Sequence, residues 1–122
     1  MIRREEAGTI WVIHQAAHAF IAGQIARHWI GSGDMDLSPR EALLIAATNH
    51  DAGSFAAEET PRINDQGQPR TFTEMDLDDH FAIWDRSIAA VFAQNRYAAL
   101  LTSMHRTALY EQRLQIGRAS CR

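Results

Sequence analysis

The stretch SPREALLIAATNHDAGSF, residues 38–55, contains a helix start, an apolar helical body and a helix stop in direct succession. Ser38 can cap a helix, Pro39 suits the first helical position, and Glu41 completes a capping box. The apolar residues that follow predict a buried helix, and Gly53 is typical of the position at which a helix ends. A histidine and an aspartate lie side by side just before that stop.

Composition narrows the classes of function. The chain has 122 residues, which suits one compact domain. All 12 basic residues are arginines, so Schiff-base chemistry and the lysine-containing phosphate-binding loop are excluded. A net charge of −3 without a basic stripe gives no reason to expect nucleic-acid binding.

No apolar run approaches the roughly 18 residues of a membrane span, so no membrane partner is expected. The opening residues MIRREEAGTI include basic residues but lack the apolar segment and cleavage site of a signal peptide. We therefore expect a cytoplasmic protein. The oligomeric state cannot be read from the sequence.

The last seven residues, IGRASCR (116–122), are what ATC-GGA-AGA-GCG-TCG-TGT-AGG encodes, a string that resembles a common sequencing adapter. We interpret residues 116–122 as a non-native, adapter-derived tail. The expected domain is then residues 1–115, the N-terminal part of a longer one. The single cysteine, Cys121, falls in the tail, so no disulfide or cysteine nucleophile is expected.

The remaining elements follow from periodicity and breakers. Residues 2–13, which include the β-branched TIWVI, predict a small N-terminal β-hairpin. Further helices are expected at 15–29, 76–94 and 96–114, with a break at GSGDMD (31–36). A loop at 58–73 is long enough to be functional, although a mobile surface excursion fits equally well.

The expected architecture is mainly α, a helical bundle with a short N-terminal hairpin. Apolar residues at three- and four-residue steps mark the faces expected to point inward. These are Ala17, Phe20, Ile21, Gln24 and Ile25 in the first helix, Phe81, Trp84, Ile88, Val91 and Phe92 in the third, and Tyr97, Leu100, Leu101, Met104, Ala108 and Leu109 in the fourth.

Each of the four helices also places one histidine inward or near the core edge: His18, His50, His80 and His105. One buried neutral histidine is ordinary when its nitrogens find partners. Four converging imidazoles among alanine, leucine and isoleucine are better explained by a shared divalent cation, and bundle cores often hold such sites. Asp51 adds a carboxylate.

Neighbours on a regular helix point about 100° apart, but a helix end can turn both His50 and Asp51 toward one ion. Imidazole and carboxylate donors suit Zn, Fe, Mn, Ni or Co. His14 and His18, four residues apart, form a rival pair. His14 ranks below His18 because it falls at the junction of strand and helix, and His28 reads as a surface residue.

The order His18, then His50-Asp51, then later inward histidines resembles the HD-domain superfamily of metal-dependent phosphohydrolases. More closely, QAAHAFIAGQIARHW, HDAGSF and YAALLTSMHRTALYE resemble an uncharacterised bacterial family, domain of unknown function 3891. The resemblance implies a helical fold and a centre of one or two metals that hydrolyses phosphate esters. His18, His50 and Asp51 match the superfamily's first three ligands; His80 and His105 fall where some members carry extra histidines.

One departure is the late aspartate with which that superfamily closes its site, because the last aspartate here is Asp85. The ligand lies in a missing part, or the site is open or degenerate. We expect a metal-dependent phosphohydrolase acting on a small phosphorylated molecule through a metal-bound water, with Asp51 catalytic and Arg106 binding substrate. Glu58 and Glu59 could act as a general acid or base, but a solvated run of surface charges explains them better.

The alternative is a non-catalytic metal- or ligand-binding regulatory domain of the same fold. A plain helical interaction domain with histidines in its core is a third hypothesis. It differs from the other two in predicting that chelators leave thermal stability unchanged.

Overall fold

The computed structural model describes residues 1–29 and 38–119, with 112–119 described by their backbone alone. The predicted break at 31–36, Cys121 and the end of the predicted tail, 120–122, lie outside the described residues. The elements in chain order are β1 (Ile2–Glu6), β2 (Thr9–Ile13), α1 (Gln15–His28), α2 (Arg40–Asn49), α3 (Phe55–Glu59), α4 (Leu77–Phe92) and α5 (Arg96–Ala119). Short 3-10 helices lie at Ala52–Ser54 and Phe72–Glu74.

The predicted fold class, mainly α with an N-terminal hairpin, is confirmed. β1 and β2 pair antiparallel, with Ile2 opposite Ile13 and Glu6 opposite Thr9. The two residues between the strands both have positive φ, 49° at Ala7 and 77° at Gly8. That combination forms the tight turn whose twist matches paired strands.

The start of α2 differs from the prediction. Pro39 precedes the helix with an extended ψ of 113°, so Arg40 is the first helical residue. The Pro39 carbonyl accepts a hydrogen bond from the Leu43 N–H at 3.2 Å, as a residue at the cap position does. No side chain caps this end. The predicted capping box is therefore wrong, because proline itself occupies the cap position.

Small side chains build the centre of the bundle. The buried cluster consists of Ala42 and Ala46 of α2, Val91 of α4, and Ala98 and Ala99 of α5. Ile45, Ile88 and Leu101 pack against it while remaining partly exposed. Small residues allow the helix backbones to approach closely, so the core is tight but narrow.

The predicted inward face of α1 is wrong. Phe20, Ile21 and Ile25 are 56%, 55% and 57% exposed, whereas Ala19 and Gly23 are the buried residues of this helix. A Cβ added at Gly23 would lie 2.9 Å from the Thr48 Cβ, so α1 meets α2 across its small-residue face. The helix therefore packs through the face that lets the two backbones approach closely, and not through the face with the larger apolar side chains.

The predicted inward faces of the last two helices are also partly wrong. Tyr97, Leu100, Met104 and Leu109 of α5 are exposed, and its buried residues are Ala98, Ala99 and Thr102. Val91 of α4 is buried as expected, but Phe81 and Phe92 are exposed. In α5 the small-residue side again packs on the bundle, whereas α4 buries His80, Ile83, Ser87 and Val91.

We predict that Gly23→Ala destabilises the protein, because the new methyl group meets both the side chain and the backbone of Thr48. Overpacking of this kind costs about 1–3 kcal/mol, which outweighs the roughly 1 kcal/mol gained in helix propensity. Thermal unfolding followed by circular dichroism measures the effect. Adding Thr48→Ala should recover part of the loss; an unchanged or raised Tm for Gly23→Ala would contradict the packing.

The predicted loop at 58–73 is shorter and more ordered than expected. Its first two residues belong to α3, and an isolated antiparallel bridge joins Ile63 and Pro69. The Arg3 guanidinium donates to the Pro69 carbonyl at 2.9 Å and pairs with Glu74 at 3.3 Å, which ties the segment to β1. The loop thus lies against the hairpin.

None of the helices in the described ranges combines the length and apolar character needed to cross a bilayer.

Candidate metal centre

Three of the predicted ligands converge at the end of α2. His18 of α1, His50 and Asp51 each offer a donor atom, and these atoms lie within 4.8 Å of one another. The His50 Nε2 lies 3.4 Å from the Asp51 Oδ2, and the rings of His18 and His50 meet edge to face at 5.5 Å. Two imidazoles and a carboxylate therefore share one small volume.

The turn after α2 explains how adjacent residues face the same point. His50 keeps helical angles, but Asp51 leaves them with φ −108° and ψ 17°. The His50 Nδ1 donates to the Ala47 carbonyl at 2.9 Å, so in the neutral ring the lone pair lies on Nε2. That nitrogen is the one directed at Asp51, as in metal sites where a backbone carbonyl orients the imidazole.

Gly53 anchors this turn on α4. Its N–H donates to the Ser87 Oγ at 2.9 Å, and Ser87 in turn donates to the Ile83 carbonyl at 3.1 Å. A Cβ at Gly53 would lie 2.6 Å from the Ser87 nitrogen and closer still to the Ile83 oxygen. Only glycine allows the approach, so the turn that carries His50 and Asp51 is held by backbone contact.

His105 of α5 adds a further imidazole beside this group. Its ring lies 4.9 Å from that of His50. Burial lowers the pKa of His105, and the neighbouring His50 and His18 lower it further, while Asp51 acts in the opposite direction. A neutral imidazole is the form that binds metals.

Asp51 is a buried carboxylate whose pKa is raised by burial, although the three nearby histidines oppose the shift. A divalent cation would offset the cost of burying this charge and would use the imidazole lone pairs at the same time. The donor set therefore fits a metal such as Zn, Fe, Mn, Ni or Co.

The cluster lies in a cavity of about 550 Å³. One wall comes from α1 and the turn after α2, the opposite wall from α4 and α5, and the segment between α3 and α4 closes a side. Gln15 also lines the cavity, and its buried Oε1 has no hydrogen-bond partner within residues 1–29 and 38–111. The space is large enough for a small-molecule ligand next to the candidate metal ligands.

His80 lines the cavity but does not join the cluster. It is buried, its Nε2 donates to the Phe72 carbonyl, and its Nδ1 accepts from the Tyr110 hydroxyl at 3.1 Å. Its ring also meets Trp84 edge to face at 5.3 Å. Both ring nitrogens have partners here, so the structure gives His80 the contacts of a core histidine.

Arg106 is not among the residues that line the cavity. Its guanidinium donates to the Asp85 carboxylate at 2.6 Å and lies 4.8 Å above the centre of the Phe81 ring. Sequence adjacency to His105 suggested a substrate contact. Adjacent residues of a helix point about 100° apart, however, and Arg106 contacts Asp85 and the Phe81 ring instead.

Three other arginines line the cavity, and the sequence reasoning missed them: Arg62, Arg70 and Arg86. Arg62 is paired with Asp79, and Arg70 lies 3.9 Å from Asp76. Within residues 1–29 and 38–111, Arg86 has no hydrogen bond or ion pair. Arg86 lies three residues after Ile83 on α4, and this helical spacing was the sequence signal that could have placed it on the cavity wall.

Glu58 was expected to be solvated, and this expectation is wrong. Its side chain is 7% exposed and pairs with the amino group of Met1 at 2.6 Å. The His14 Nδ1 donates to the same carboxylate at 3.2 Å, which turns His14 away from the rival pairing with His18. Glu59 is exposed as expected.

We predict a pH effect from His105. Because folding lowers the pKa of His105 below 6.5, the unfolded chain binds more protons in that interval. The free energy of unfolding of the metal-free protein should therefore rise as pH increases toward about 6.5. Urea titrations with a chelator between about pH 5 and 7 measure it.

The matched variant for this test is His105→Gln, which retains the other histidines and Asp51. Its free energy of unfolding should lack the rise toward about pH 6.5 that the unaltered protein shows. Equal slopes against pH in the two proteins would contradict the assignment to His105. The raised pKa of Asp51 gives a slope of opposite sign.

The comparisons with known proteins bear on the family. The family model described as "Protein of unknown function (DUF3891)" matches residues 1–120. No curated protein and no solved structure matches the chain. Since the match covers nearly the whole sequence, the chain belongs to the DUF3891 family.

Proposed function

We propose that this protein is a metal-dependent hydrolase of phosphate esters, built as a member of the HD-domain superfamily. The observation that carries the proposal is the approach of donor atoms from His18, His50 and Asp51 to within 4.8 Å of one another. Their order along the chain is the one that the superfamily resemblance leads us to expect. A cavity beside them provides room for a substrate.

His18, His50 and Asp51 would hold the ion, and His105 is the proposed fourth ligand because its ring lies beside that of His50. When bound, a divalent cation supplies Lewis acidity and makes water a nucleophile near neutral pH. His80 is left out of the proposed set because both of its ring nitrogens have hydrogen-bond partners.

Asp51 has two proposed roles. One carboxylate oxygen would hold the cation, and the other would accept a hydrogen bond from the attacking water and orient it toward phosphorus. Because the Ala47 carbonyl accepts the Nδ1 proton, the neutral His50 ring would offer the lone pair of Nε2 to the cation.

Arg86 is the proposed contact for the phosphate group. It lines the cavity from α4, one residue before Ser87, which bonds to the turn after Asp51. Arg62 already has a carboxylate partner in Asp79. Arg86 has none in the described part of the chain, so its guanidinium is available for an anionic substrate.

We predict that Arg86→Gln lowers kcat/KM for a phosphate monoester by about 10- to 100-fold, since a charge-assisted hydrogen bond contributes about 1.5–3 kcal/mol. Steady-state kinetics with p-nitrophenyl phosphate at a fixed metal concentration measure the loss. Arg4→Gln is the control, because Arg4 is exposed on β1 and pairs with Glu6. Equal losses in both variants would contradict the proposed contact.

The proposal as a whole is tested by metal loading and turnover. The purified protein is stripped with a chelator, reloaded with each of Mn, Fe, Co, Ni and Zn, and assayed against a panel of phosphomonoesters and phosphodiesters. We expect turnover that disappears with chelation and returns with metal. A folded protein that binds no metal and turns over no ester would overturn the proposal.

A regulatory metal- or ligand-binding domain is the second candidate. The observation in its favour is that Asp51 is the single carboxylate in the described cluster, and Asp85, the last aspartate of the sequence, bonds to Arg106 instead. Bound metal together with tight nucleotide binding and no turnover would support this candidate over the hydrolase.

A further inference from the structure

We infer that Glu58 is the positioning residue that holds His18 in place relative to His50 and Asp51. The inference rests on the proposed metal centre and adds a residue that is not one of its ligands. Glu58 lies in α3 and lines the cavity. It is buried, with 8% of its surface exposed. A buried carboxylate on the wall of a site requires a physical reason.

The first reason is that Glu58 caps α1 from another segment. Its two carboxylate oxygens accept the Gln15 N–H at 3.1 and 3.0 Å. Gln15 is the first residue of α1, which has no acidic residue in its first turn and no side-chain cap of its own. A negative charge at this end satisfies an otherwise unpaired N–H and stabilises the helix dipole.

The second reason is that the cap acts directly on the turn that carries His18. The His14 Nδ1 donates to Glu58 at 3.2 Å, and the His18 N–H donates to the His14 carbonyl at 3.0 Å. His18 is therefore the residue that closes the first helical turn above the Glu58 contact. Moving the start of α1 would move the His18 imidazole with it.

The other end of this connection is the turn that supplies the remaining ligands. Asp51 and Glu58 belong to one short segment, which continues through the 3-10 helix and α3. That segment is anchored on α4 through Gly53. Glu58 thus joins the helix that carries His18 to the segment that carries Asp51, and so sets the distance between them.

Glu58 does not serve as a ligand itself in this account. Its oxygens already accept hydrogen bonds from Gln15 and His14 and pair with the Met1 amino group. The convergent group of donor atoms in the described residues does not include it. Its effect is exerted through the position of His18.

The test compares Glu58→Gln with Glu59→Gln, a matched change at the exposed neighbouring residue. Co²⁺ binding is followed by its visible absorption, with folding checked by circular dichroism. Glu58→Gln should raise the Kd for Co²⁺ by about 10- to 100-fold, as loss of an outer-shell partner does, and should alter the absorption spectrum. Glu59→Gln should bind Co²⁺ like the unaltered protein.

A second variant keeps the inference testable if Glu58→Gln does not fold. Gln15→Pro removes the N–H that Glu58 accepts together with the Gln15 side chain, so Gln15→Ala, which keeps the N–H, is its control. Proline is well tolerated at the first position of a helix. His14, with φ −69° and ψ 140°, already has the extended backbone that precedes proline. Gln15→Pro should also weaken Co²⁺ binding and alter the spectrum.

The outcomes separate the two proposals. If the unaltered protein binds no Co²⁺, the metal centre itself is wrong. If the unaltered protein binds Co²⁺ and a folded Glu58→Gln or Gln15→Pro variant shows the same Kd and spectrum, the metal centre stands and the positioning role of Glu58 is overturned.

Discussion

Replacing Gly53 by alanine should lower the Tm by more than about 10 °C, the largest loss of stability that we expect from one methyl group. The added Cβ would overlap the Ile83 carbonyl oxygen and would lie 2.6 Å from the Ser87 nitrogen. Both are backbone atoms of α4, so no side-chain rotation relieves the overlap. The turn after Asp51 would have to leave α4, and the Gly53 hydrogen bond to Ser87 would be lost.

Gly8→Ala is the matched control for this prediction. Gly8 has a positive φ of 77°, but a Cβ added there would have no atom within 4 Å. Its cost is confined to backbone strain, on the order of 1 kcal/mol. Differential scanning calorimetry compares the two variants. A Tm loss for Gly53→Ala no greater than that for Gly8→Ala would contradict the close packing of the turn on α4.

Replacing Asp51 by asparagine should weaken the proposed metal binding by at least about a hundredfold, more than is usual for loss of an outer-sphere partner, and should reduce the proposed phosphatase activity to background. Asparagine has the same shape but lacks the charge that would balance the cation. The two imidazoles would remain with no anionic partner in the described cluster.

The metal-free variant should not lose stability. Burial raises the pKa of Asp51, which means that the folded state disfavours its charged form at neutral pH. Asparagine removes that penalty, so Asp51→Asn should be at least as stable as the unaltered protein when chelator is present. This combination of weaker metal binding and undiminished stability distinguishes loss of a ligand from misfolding.

Isothermal titration calorimetry with Zn²⁺ or Mn²⁺, together with urea unfolding, measures both effects. Asp65→Asn is the control, because Asp65 is exposed in the loop before α4. An Asp51→Asn variant that binds metal with the Kd of the unaltered protein would remove Asp51 from the proposed ligand set.

Much of the architecture follows from local sequence signals. β-branched and aromatic residues predicted the hairpin, and breakers and periodicity placed the four longer helices to within about five residues. The short helix α3 was not predicted. The approach of His18, His50 and Asp51 was expected because both histidines were assigned to inward faces. The structure brings the three residues together, but His18 is exposed. Metal binding by this group stays a prediction.

The faces of the helices could not be predicted in the same way. Periodicity identifies a side of large apolar residues, such as Phe20 and Ile21, but the bundle buries the side that contains Ala19 and Gly23. The choice depends on how closely two backbones can approach, which involves the partner helix. Thr48 opposite Gly23 is a long-range contact that carries no local signal.

The polar contacts of the site could not be predicted from the sequence either. His80 has the spacing of an inward histidine, but its hydrogen-bond partners lie in a loop and on another helix. Glu58 looks like part of a surface charge run, yet it caps a helix 43 residues earlier in the chain. Arg86 lines the cavity from α4, and its spacing from Ile83 was the only local signal for it.

The most direct test of the metal centre is a crystal structure of the metal-loaded protein with anomalous diffraction measured at the absorption edge of the metal. We predict one strong anomalous peak about 2.0–2.3 Å from a nitrogen of His18, the Nε2 of His50 and an oxygen of Asp51, as first-row ions are held. A peak at another place, or none in a crystal grown with saturating metal, would contradict the proposed centre.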